Sequence, residues 1–564
     1  MSKKIYLPLL VLLAVVGLSS CSSKLKPLAA DYIKVEPQPL EEVAGKVPVT
    51  INATFPQKWF NKKAAVVVVP VLRYEGGEAW GTSYTFQGEK VAGNGQVIPE
   101  KTGANVTMTS SFNYIPAMQK SELFLTFSAK IGNKEVALPE LKIADGVLAT
   151  AALVDAGAEV PAIVPDKFQR IIKEAYNANI MFLIQQAELR SGELKKSDLA
   201  DWKGVVQNAD QAPNQNVNVE ISAYASPDGG LELNEKLAER REKNTNEYLK
   251  KEMKKAQVDV PITARYTAQD WEGFKELVEK SNIQDKNLVL SVLSMYTDPE
   301  QREREIKNIS SVFSTLADEI LPQLRRSRLT ANVEIVGKSD EEISNLAASN
   351  PKALTVEELL YAATLVKTAD QKAVIYKKAS ELYSNDFRAY NNLGVIEYTK
   401  GQVANAEQLF NKAAQLSAAS PEVNCNLGLV ALTKGDKDKA KQYFGKASGV
   451  AELNNALGVL AIQNGNYTQA VTAFGNTASN NAAIAQLMNK DYSKAQATLN
   501  VVSNANATTA YLKAIVAART NNLNGVVTNL KQAISLDASL AKKAVNDLEF
   551  AKYVTNSDFL NVVK

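Results

Sequence analysis

The sequence predicts a multidomain protein with an N-terminal antiparallel β-sandwich, a central α/β domain with a helical insertion, and a C-terminal α-solenoid. Three observations support this prediction. Short β-branched and aromatic runs separated by glycine turns fill residues 41–150. A strand, a glycine turn and a long helix follow one another over residues 217–250. From residue 355 onwards, a pattern of Gly, Ala and aromatic positions recurs with a 34-residue spacing.

Residues 1–20 have the charge order and length of a signal peptide. Lys3 and Lys4 precede a mostly apolar stretch, residues 5–18, which is too short to span a bilayer as a mature helix. The sequence Leu18-Ser19-Ser20-Cys21 resembles a bacterial lipobox, in which the cysteine thiol takes up diacylglycerol. We therefore expect a lipidated tether over residues 21–40. The alternative is an ordinary cleaved signal followed by a chance cysteine.

The residues after Cys21 bear on which membrane face the protein occupies. Residues 22–26 read Ser-Ser-Lys-Leu-Lys and lack the acidic run that directs some Bacteroidota lipoproteins to the cell surface. This favours a lipid-anchored outer-membrane protein that faces the periplasm, with exposure on the cell surface as the alternative.

The composition excludes several kinds of chemistry. The chain has no histidine, which removes Ser-His-Asp and Cys-His catalysis and all histidine-ligated metal sites. Of the two cysteines, Cys425 has no partner for an intramolecular disulfide once Cys21 carries lipid. A net charge of +3 over 564 residues provides no field for nucleic acid. We expect a non-enzymatic protein without a cofactor or metal.

The predicted sandwich, residues 41–150, rests on β-rich runs separated by turn sequences. These runs are residues 46–55, 64–74, 82–91, 104–114, 122–131 and 135–143. Residues 151–165 that follow are rich in Ala, Gly and Pro, and this composition predicts a linker.

The central domain is expected over residues 166–340, with a helical insertion at 269–322. Its clearest part is an alternating strand from Val217, a turn through Gly229, and a helix of three-to-four spacing. This arrangement resembles the OmpA-like, peptidoglycan-binding domain. The family's Gly, Asn, Leu and Arg positions fall on Gly229, Asn234, Leu237 and Arg241.

The resemblance implies a site for the diaminopimelate of cell-wall peptide. In the family an Asp meets the ligand's ammonium and the Arg fork meets its carboxylate. Here the family's Asp falls on Ser226, so one charge of this clamp is missing, and Asp228 lies two residues further on. The implied peptidoglycan-binding residues are Ser226, Asp228, Asn234 and Arg241. The alternative is that Arg241 belongs to a solvated face of a Lys/Glu-rich helix.

The C-terminal solenoid, residues 355–564, shows its repeat in the sequence itself. Leu393-Gly394, Ala406 and Phe410 recur 34 residues later as Leu427-Gly428, Ala440 and Phe444, and again after a shortening of four residues as Leu457-Gly458, Ala470 and Phe474. This pattern strongly resembles tetratricopeptide repeats, in which small residues let paired helices approach and an aromatic residue packs against the next repeat.

That resemblance implies a concave face, formed by the first helix of each pair, which binds extended peptides or partner helices. Phasing the repeats places six candidate residues near this face: Arg388, Asn391, Tyr398, Glu422, Asn455 and Gln463. Asparagines of this kind can hydrogen-bond a peptide backbone. We expect Cys425 to pack as a small hydrophobe. The alternative is that the repeats act only as a spacer.

These features together predict a lipid-anchored cell-envelope scaffold. Its OmpA-like domain would face peptidoglycan, and its repeats would bind a partner protein or peptide. The alternative is a surface-exposed antigen or adhesin with a degenerate OmpA-like domain. Protease accessibility on intact cells separates the two, because a periplasmic scaffold is protected and a surface antigen is cleaved.

Overall fold

The computed structural model describes residues 25–564, with the backbone alone at residues 310–312. Over this range the chain forms two compact units. The first unit combines the chain up to Pro165 with Lys372–Lys564, and the second comprises Asp166–Gln371. The expected signal peptide and the lipidation residue Cys21 lie outside the described residues. Among residues 25–564, none of the helices combines the length and apolarity needed to cross a bilayer.

The N-terminal part of the first unit is rich in β-sheet, as the sequence predicts. Its strands are β1 Ile33–Glu36, β2 Lys46–Phe55, β3 Ala64–Tyr74, β4 Gly77–Trp80, β5 Tyr84–Gln87, β6 Gln96–Val97, β7 Ala104–Asn113, β8 Ser121–Ile131, β9 Lys134–Val136 and β10 Leu141–Gly146. They form a three-stranded sheet in the order β1-β2-β7 and a second sheet in the order β10-β8-β3-β5-β6, with β4 on β3 and β9 on β8.

One hydrophobic core serves both sheets. Val47 and Ile51 on β2 and Val66 and Val68 on β3 belong to it, and each is at most 1% exposed. Alternate residues of these strands face the core because side chains along a strand point to opposite sides. The bounds of β2 and β3 are those that the sequence predicts.

The second unit contains four strands and ten α-helices, of which α3 is the longest. The strands are β11 Ile171–Met181, β12 Gln215–Tyr224, β13 Ile262–Thr267 and β14 Arg326–Val336. The helices are α1 Ser191–Leu194, α2 Ser197–Gln211, α3 Leu231–Lys255, α4 Trp271–Lys280, α5 Lys286–Met295, α6 Pro299–Asn308, α7 Ser310–Thr315, α8 Leu321–Leu324, α9 Asp340–Ser349 and α10 Val356–Ala362.

The four strands form one sheet in the order β11-β14-β12-β13. Strand β12 runs parallel to β13 and antiparallel to β14. Helix α3 makes the crossover between the two parallel strands, and Leu249 of α3 packs in the core with Trp202 of α2. Helices α4–α8 fall in the predicted insertion and have a core of their own around Phe274 and Leu316.

The C-terminal part of the first unit consists of antiparallel helix pairs. The helices are α11 Ala369–Leu382, α12 Phe387–Thr399, α13 Val403–Leu416, α14 Pro421–Thr433, α15 Lys437–Phe444, α16 Leu453–Gln463, α17 Tyr467–Phe474, α18 Asn480–Met488, α19 Tyr492–Asn500, α20 Ala507–Arg519, α21 Leu523–Leu536, α22 Ser539–Asn546 and α23 Ser557–Val563. A 3-10 turn, Leu548–Tyr553, lies between the last two helices.

The repeating Gly and Phe positions form the contact inside each pair. A Cβ atom added to Gly428 of α14 would lie 2.3 Å from the ring of Phe444 on α15. The equivalent distances are 2.7 Å from Gly394 to Phe410 and 2.6 Å for the third pair. Glycine is therefore required because the aromatic ring of the second helix occupies the space of a side chain on the first.

Candidate functional site

A segment of the chain lies along the first helices of the repeat pairs. We call it the docked segment and define it as residues 155–164. Its Ala162 is 1% exposed and its Val164 is 7% exposed. The side chains that bind it come from α12, α14 and α18, and we call this surface the first-helix face. The first-helix face comprises Asn391, Asn392, Tyr398, Asn426 and Asn481.

Two asparagines each pair with one residue of the docked segment through both side-chain groups. The amide of Ala162 donates to Asn426 Oδ1 at 2.7 Å, and Asn426 Nδ2 donates to the carbonyl of Ala162 at 2.8 Å. Asn392 makes the same two bonds with Val164, each at 2.9 Å. A side-chain amide has one acceptor and one donor side, so it pairs with the backbone as a neighbouring β-strand would.

A third asparagine repeats this pairing at the other end of the segment. Asn481 Oδ1 accepts from the amide of Asp155 at 2.9 Å, and Asn481 Nδ2 donates to its carbonyl at 2.7 Å. Because Asn481 lies on α18 and Asn392 on α12, the docked segment runs opposite to the order of the repeats. The segment has a 3-10 turn at Ala156–Ala158, and no helix or strand is assigned to the rest of it. The three pairs fix its two ends and its direction.

Two further side chains complete the contact. Asn391 Nδ2 donates to the carbonyl of Ala162 at 3.0 Å, while Asn391 Oδ1 accepts from Asn426 Nδ2 at 2.9 Å. The hydroxyl of Tyr398 donates to the carbonyl of Ala156 at 2.8 Å. Burial raises the pKa of Tyr398 to about 12, so the hydroxyl keeps its proton for this bond.

A buried carboxylate belongs to the docked segment. Glu159 is 6% exposed, and its Oε1 accepts from Asn481 Nδ2 at 2.7 Å. Burial raises the pKa of Glu159 above its ordinary value of 4.5, although the bond from Asn481 lowers it, and the nearby Asp155 raises it further. The site thus holds an acidic side chain with a neutral amide as its hydrogen-bond donor.

The structure places the six residues expected at the partner face in different settings. Asn391 and Tyr398 bind the docked segment. Arg388 is paired with Asp386, Glu422 accepts from the hydroxyl of Ser420, Asn455 accepts from the hydroxyl of Thr477, and the backbone carbonyl of Gln463 accepts from Lys437. Cys425 is fully buried, and burial raises its pKa to about 12, so the thiol stays protonated.

Sequence reasoning missed three of the five asparagine and tyrosine residues on this face: Asn392, Asn426 and Asn481. A signal for the first two was present, because Asn392 and Asn426 lie 34 residues apart and each directly precedes the repeated Leu-Gly pair. Asn481 follows the shortened repeat and does not share that spacing.

The residues of the implied peptidoglycan clamp lie together in the second unit. Asn234 Nδ2 donates to the carbonyls of Ser226 and Gly229 at 3.0 and 2.8 Å and so holds the turn between β12 and α3. The hydroxyl of Ser226 donates to Asp228, and Arg325 Nη2 donates to Asp228 Oδ2 at 3.1 Å. Asp228 therefore has an internal arginine as its charge partner.

Arg241 is fully buried, and its guanidinium is used within the fold. It donates to the backbone carbonyls of Gln186, Tyr224 and Leu183 at 2.9, 2.8 and 3.1 Å. Burial, and then the neighbouring Arg325, lower the pKa of Arg241 to about 10. It remains charged at neutral pH and fixes the segment before α1 against the end of β12.

The insertion packs directly on the turn beside this cluster. Lys307 Nζ donates to the carbonyl of Asp228 at 3.3 Å, and Gln269 Nε2 donates to that of Gly229 at 3.0 Å. The cavity between this turn and the insertion, lined by Trp271 and Phe274 among others, measures about 10 Å³. That volume admits about one water molecule.

Two family models match the chain, and both are described as tetratricopeptide repeat, at residues 375–421 and 421–450. The helices within residues 375–450 thus match tetratricopeptide repeats, a class typical of protein–protein interaction, and neither model is a catalytic family. No curated protein matches the chain.

Several solved structures are similar over part of the chain. The Cut9–Hcn1 hetero-tetramer of the APC/C has 18% identity and a TM-score of 0.30, covering 38% of this chain and 45% of that one, which is less than half its length. PilF of Pseudomonas aeruginosa has 17% identity and a TM-score of 0.29, covering 39% and 100%. A tetratricopeptide repeat protein of Parabacteroides merdae has 14% identity and a TM-score of 0.26, covering 52% and 100%.

Proposed function

We propose that this protein is a non-enzymatic scaffold of the cell envelope, anchored to the outer membrane by lipid on Cys21 and binding a partner protein through its repeats. The observation that carries the scaffold function is the set of paired amide–backbone hydrogen bonds on the first-helix face. These side chains recognise extended peptide backbone through donor and acceptor together, which is a binding geometry.

Photo-crosslinking in cells tests the scaffold function. Val160 and Ile163 of the docked segment are 65% and 43% exposed, so a crosslinking residue placed there reports what approaches the first-helix face. We expect covalent adducts with another envelope protein from both positions and none from exposed Lys134 on β9. If exported, lipidated protein gives no adduct from either position, the repeats do not bind a partner at this face.

The anchor is supported by the sequence Leu18-Ser19-Ser20-Cys21. We expect Cys21→Ala to abolish acylation and to move the protein into a soluble fraction, since two or more acyl chains provide the membrane affinity. Mature protein with an unmodified Cys21 that still sediments with outer membrane would contradict this. Protease treatment of intact cells tests the periplasmic orientation, and cleavage there would favour the surface antigen instead.

We further propose that the second unit faces peptidoglycan. The support is the resemblance at Gly229, Asn234, Leu237 and Arg241, together with the sheet and helices on which these residues lie. Because Arg241 and Asp228 have internal partners, we expect weak binding that Ser226→Asp strengthens by adding the missing charge. Co-sedimentation of the whole chain with purified peptidoglycan measures this. If neither wild type nor variant sediments, the second unit has no wall-binding role.

A further inference from the structure

We propose that the docked segment is an exchangeable ligand of the first-helix face, and that this face binds an extended segment of a partner protein in its place. The partner segment has small side chains at the positions of Ala156 and Ala162 and an uncharged hydrogen-bond acceptor at the position of Glu159. The proposal rests on the scaffold function above and specifies the chemistry of the partner.

The first step is that the main contacts are independent of side-chain identity. Asn426, Asn392 and Asn481 each bond an amide and a carbonyl of the docked segment, and every non-proline residue has both groups. A second chain in the same direction and conformation, including the turn at the positions of Ala156–Ala158, therefore finds the same six bonds. Recognition by backbone pairing with pockets for alternate side chains is the general mode for extended peptides.

The second step concerns the side chains that face the repeats. Ala156 and Ala162 are 5% and 1% exposed, and Ala156 belongs to the hydrophobic core of the repeats. A larger side chain at Ala156 would overpack that core, and one at Ala162 would not fit its buried position. Val160 and Ile163 are exposed and face away, so their positions accept a range of residues. The face thus selects small residues at two places and leaves others open.

The third step is that the chain's own segment is not the best ligand for this face. The carboxylate of Glu159 is buried and receives a bond from the neutral amide of Asn481. Burying a charged group against a neutral donor is less favourable than burying a neutral acceptor there. Burial raises the pKa of Glu159, which agrees with this geometry. A partner segment with glutamine at this position therefore competes with the internal segment better than a segment with glutamate does.

The experiment uses the whole chain with residues 155–164 replaced by an equally long Gly/Ser sequence that has proline at 155, 162 and 164. Proline has no amide hydrogen to donate, so the replaced segment cannot form the three amide–asparagine bonds and the face is vacated. The probe is a fluorescent synthetic peptide of residues 153–166, and its binding is measured by anisotropy. We expect the replaced chain to bind the peptide and wild type to bind roughly a hundredfold more weakly, because the tethered segment competes at high effective concentration. In the replaced chain, Asn426→Ala should weaken binding roughly tenfold to a hundredfold through two lost hydrogen bonds.

Asn455→Ala is the matched control, since Asn455 lies on a first helix and accepts its bond from Thr477. A peptide with Glu159→Gln should bind about tenfold more tightly at neutral pH and equally well at pH values below about 4, where the glutamate is protonated. Tighter binding of the glutamate peptide at neutral pH would overturn the chemistry stated for that position.

Two results overturn the exchange itself. One is a folded replaced chain, with unchanged repeat helicity and melting, that binds the peptide no better than wild type. The other is equal binding by the Asn426→Ala and Asn455→Ala versions. If the replaced chain does not fold, hydrogen exchange on the intact chain tests whether the docked segment can be displaced. Excess Glu159→Gln peptide should then accelerate exchange at the amides of Ala162 and Val164, and unchanged exchange refutes the proposal. These measurements on purified protein are separate from crosslinking in cells, so the two proposals fail independently.

Discussion

Gly428→Ala tests the close approach of paired helices in the repeats. The added Cβ would lie 2.3, 2.5 and 3.0 Å from three ring carbons of Phe444, where ordinary contact begins at 3.4 Å. Phe444 is 4% exposed and cannot turn into solvent. Overpacking of this kind lowers the free energy of unfolding by roughly 1–3 kcal/mol. Because the added Cβ would overlap the ring by about 1 Å, we expect a loss at the upper end of that range.

The higher helix propensity of alanine offsets part of that loss, by about 1 kcal/mol. We therefore expect a net loss of about 2 kcal/mol, or a melting temperature lower by roughly 4–8 °C for a region of this size. Far-ultraviolet circular dichroism during heating measures it. Gly445→Ala is the matched control, because the nearest atoms to its added Cβ would be two backbone carbonyl oxygens at 3.5 Å, and it should melt like wild type or slightly higher.

A second substitution checks that the ring of Phe444 is the cause. Phe444→Leu removes ring atoms, so it should destabilise wild type but partly rescue Gly428→Ala, giving a favourable coupling of at least about 1 kcal/mol in the double-mutant cycle. The reasoning is refuted if Gly428→Ala melts at or above wild type, or if Phe444→Leu destabilises both backgrounds equally.

Three further substitutions test buried charges. Glu159→Gln should stabilise the first unit at neutral pH. Burial raises the pKa of Glu159, so its favourable contribution to stability is complete below pH 4.5 and is lost as pH rises through the folded pKa. Melting temperatures measured against pH should show this loss in wild type and not in Glu159→Gln. Arg241→Ala should lower the free energy of unfolding of the second unit by more than about 3 kcal/mol, since three buried carbonyls lose their donor. Denaturant unfolding measures this, and an unchanged free energy of unfolding would contradict it. Arg519→Leu should cost about 3–5 kcal/mol because it leaves Glu549 buried and unpaired, and the double change to leucine at both positions should recover most of it in the same assay.

The repeats and the first sheets are predictable because their signals are side chains at fixed spacing. Gly394 and Phe410, and their copies, must recur wherever a helix pair packs in the same way. The alternation in β2 likewise fixes which residues face the core. By contrast, β13 was not predicted, although Ile262, Ala264 and Tyr266 alternate with Thr263, Arg265 and Thr267. The alternation is short, and five of its six residues are exposed, so it does not mark a core face as the alternation in β2 does.

The binding of the docked segment to the repeats could not be predicted from the sequence, for a physical reason. Its composition of Ala, Gly, Val and Pro indicates a linker, and its binding uses backbone groups that every sequence has. The phasing of the repeats found Asn391 and Tyr398 but not Asn392 or Asn426, because one residue of phase rotates a helical position by about 100°. For Arg241, spacing alone does not show whether a guanidinium points to solvent, to a ligand or to backbone carbonyls.

The docked segment also has a consequence for how the chain matures. Its partners lie far along the sequence: Val164 and Asn392 are 228 residues apart, and Asp155 and Asn481 are 326 apart. Thr150, just before the segment, donates to Glu549 across 399 residues. Contacts of such separation form late and slowly, because a long loop must close before they form. During synthesis, residues 150–164 therefore lack these contacts until almost the whole polypeptide has been made, and a chaperone that shields the unsatisfied backbone of residues 155–164 would be needed most in that interval.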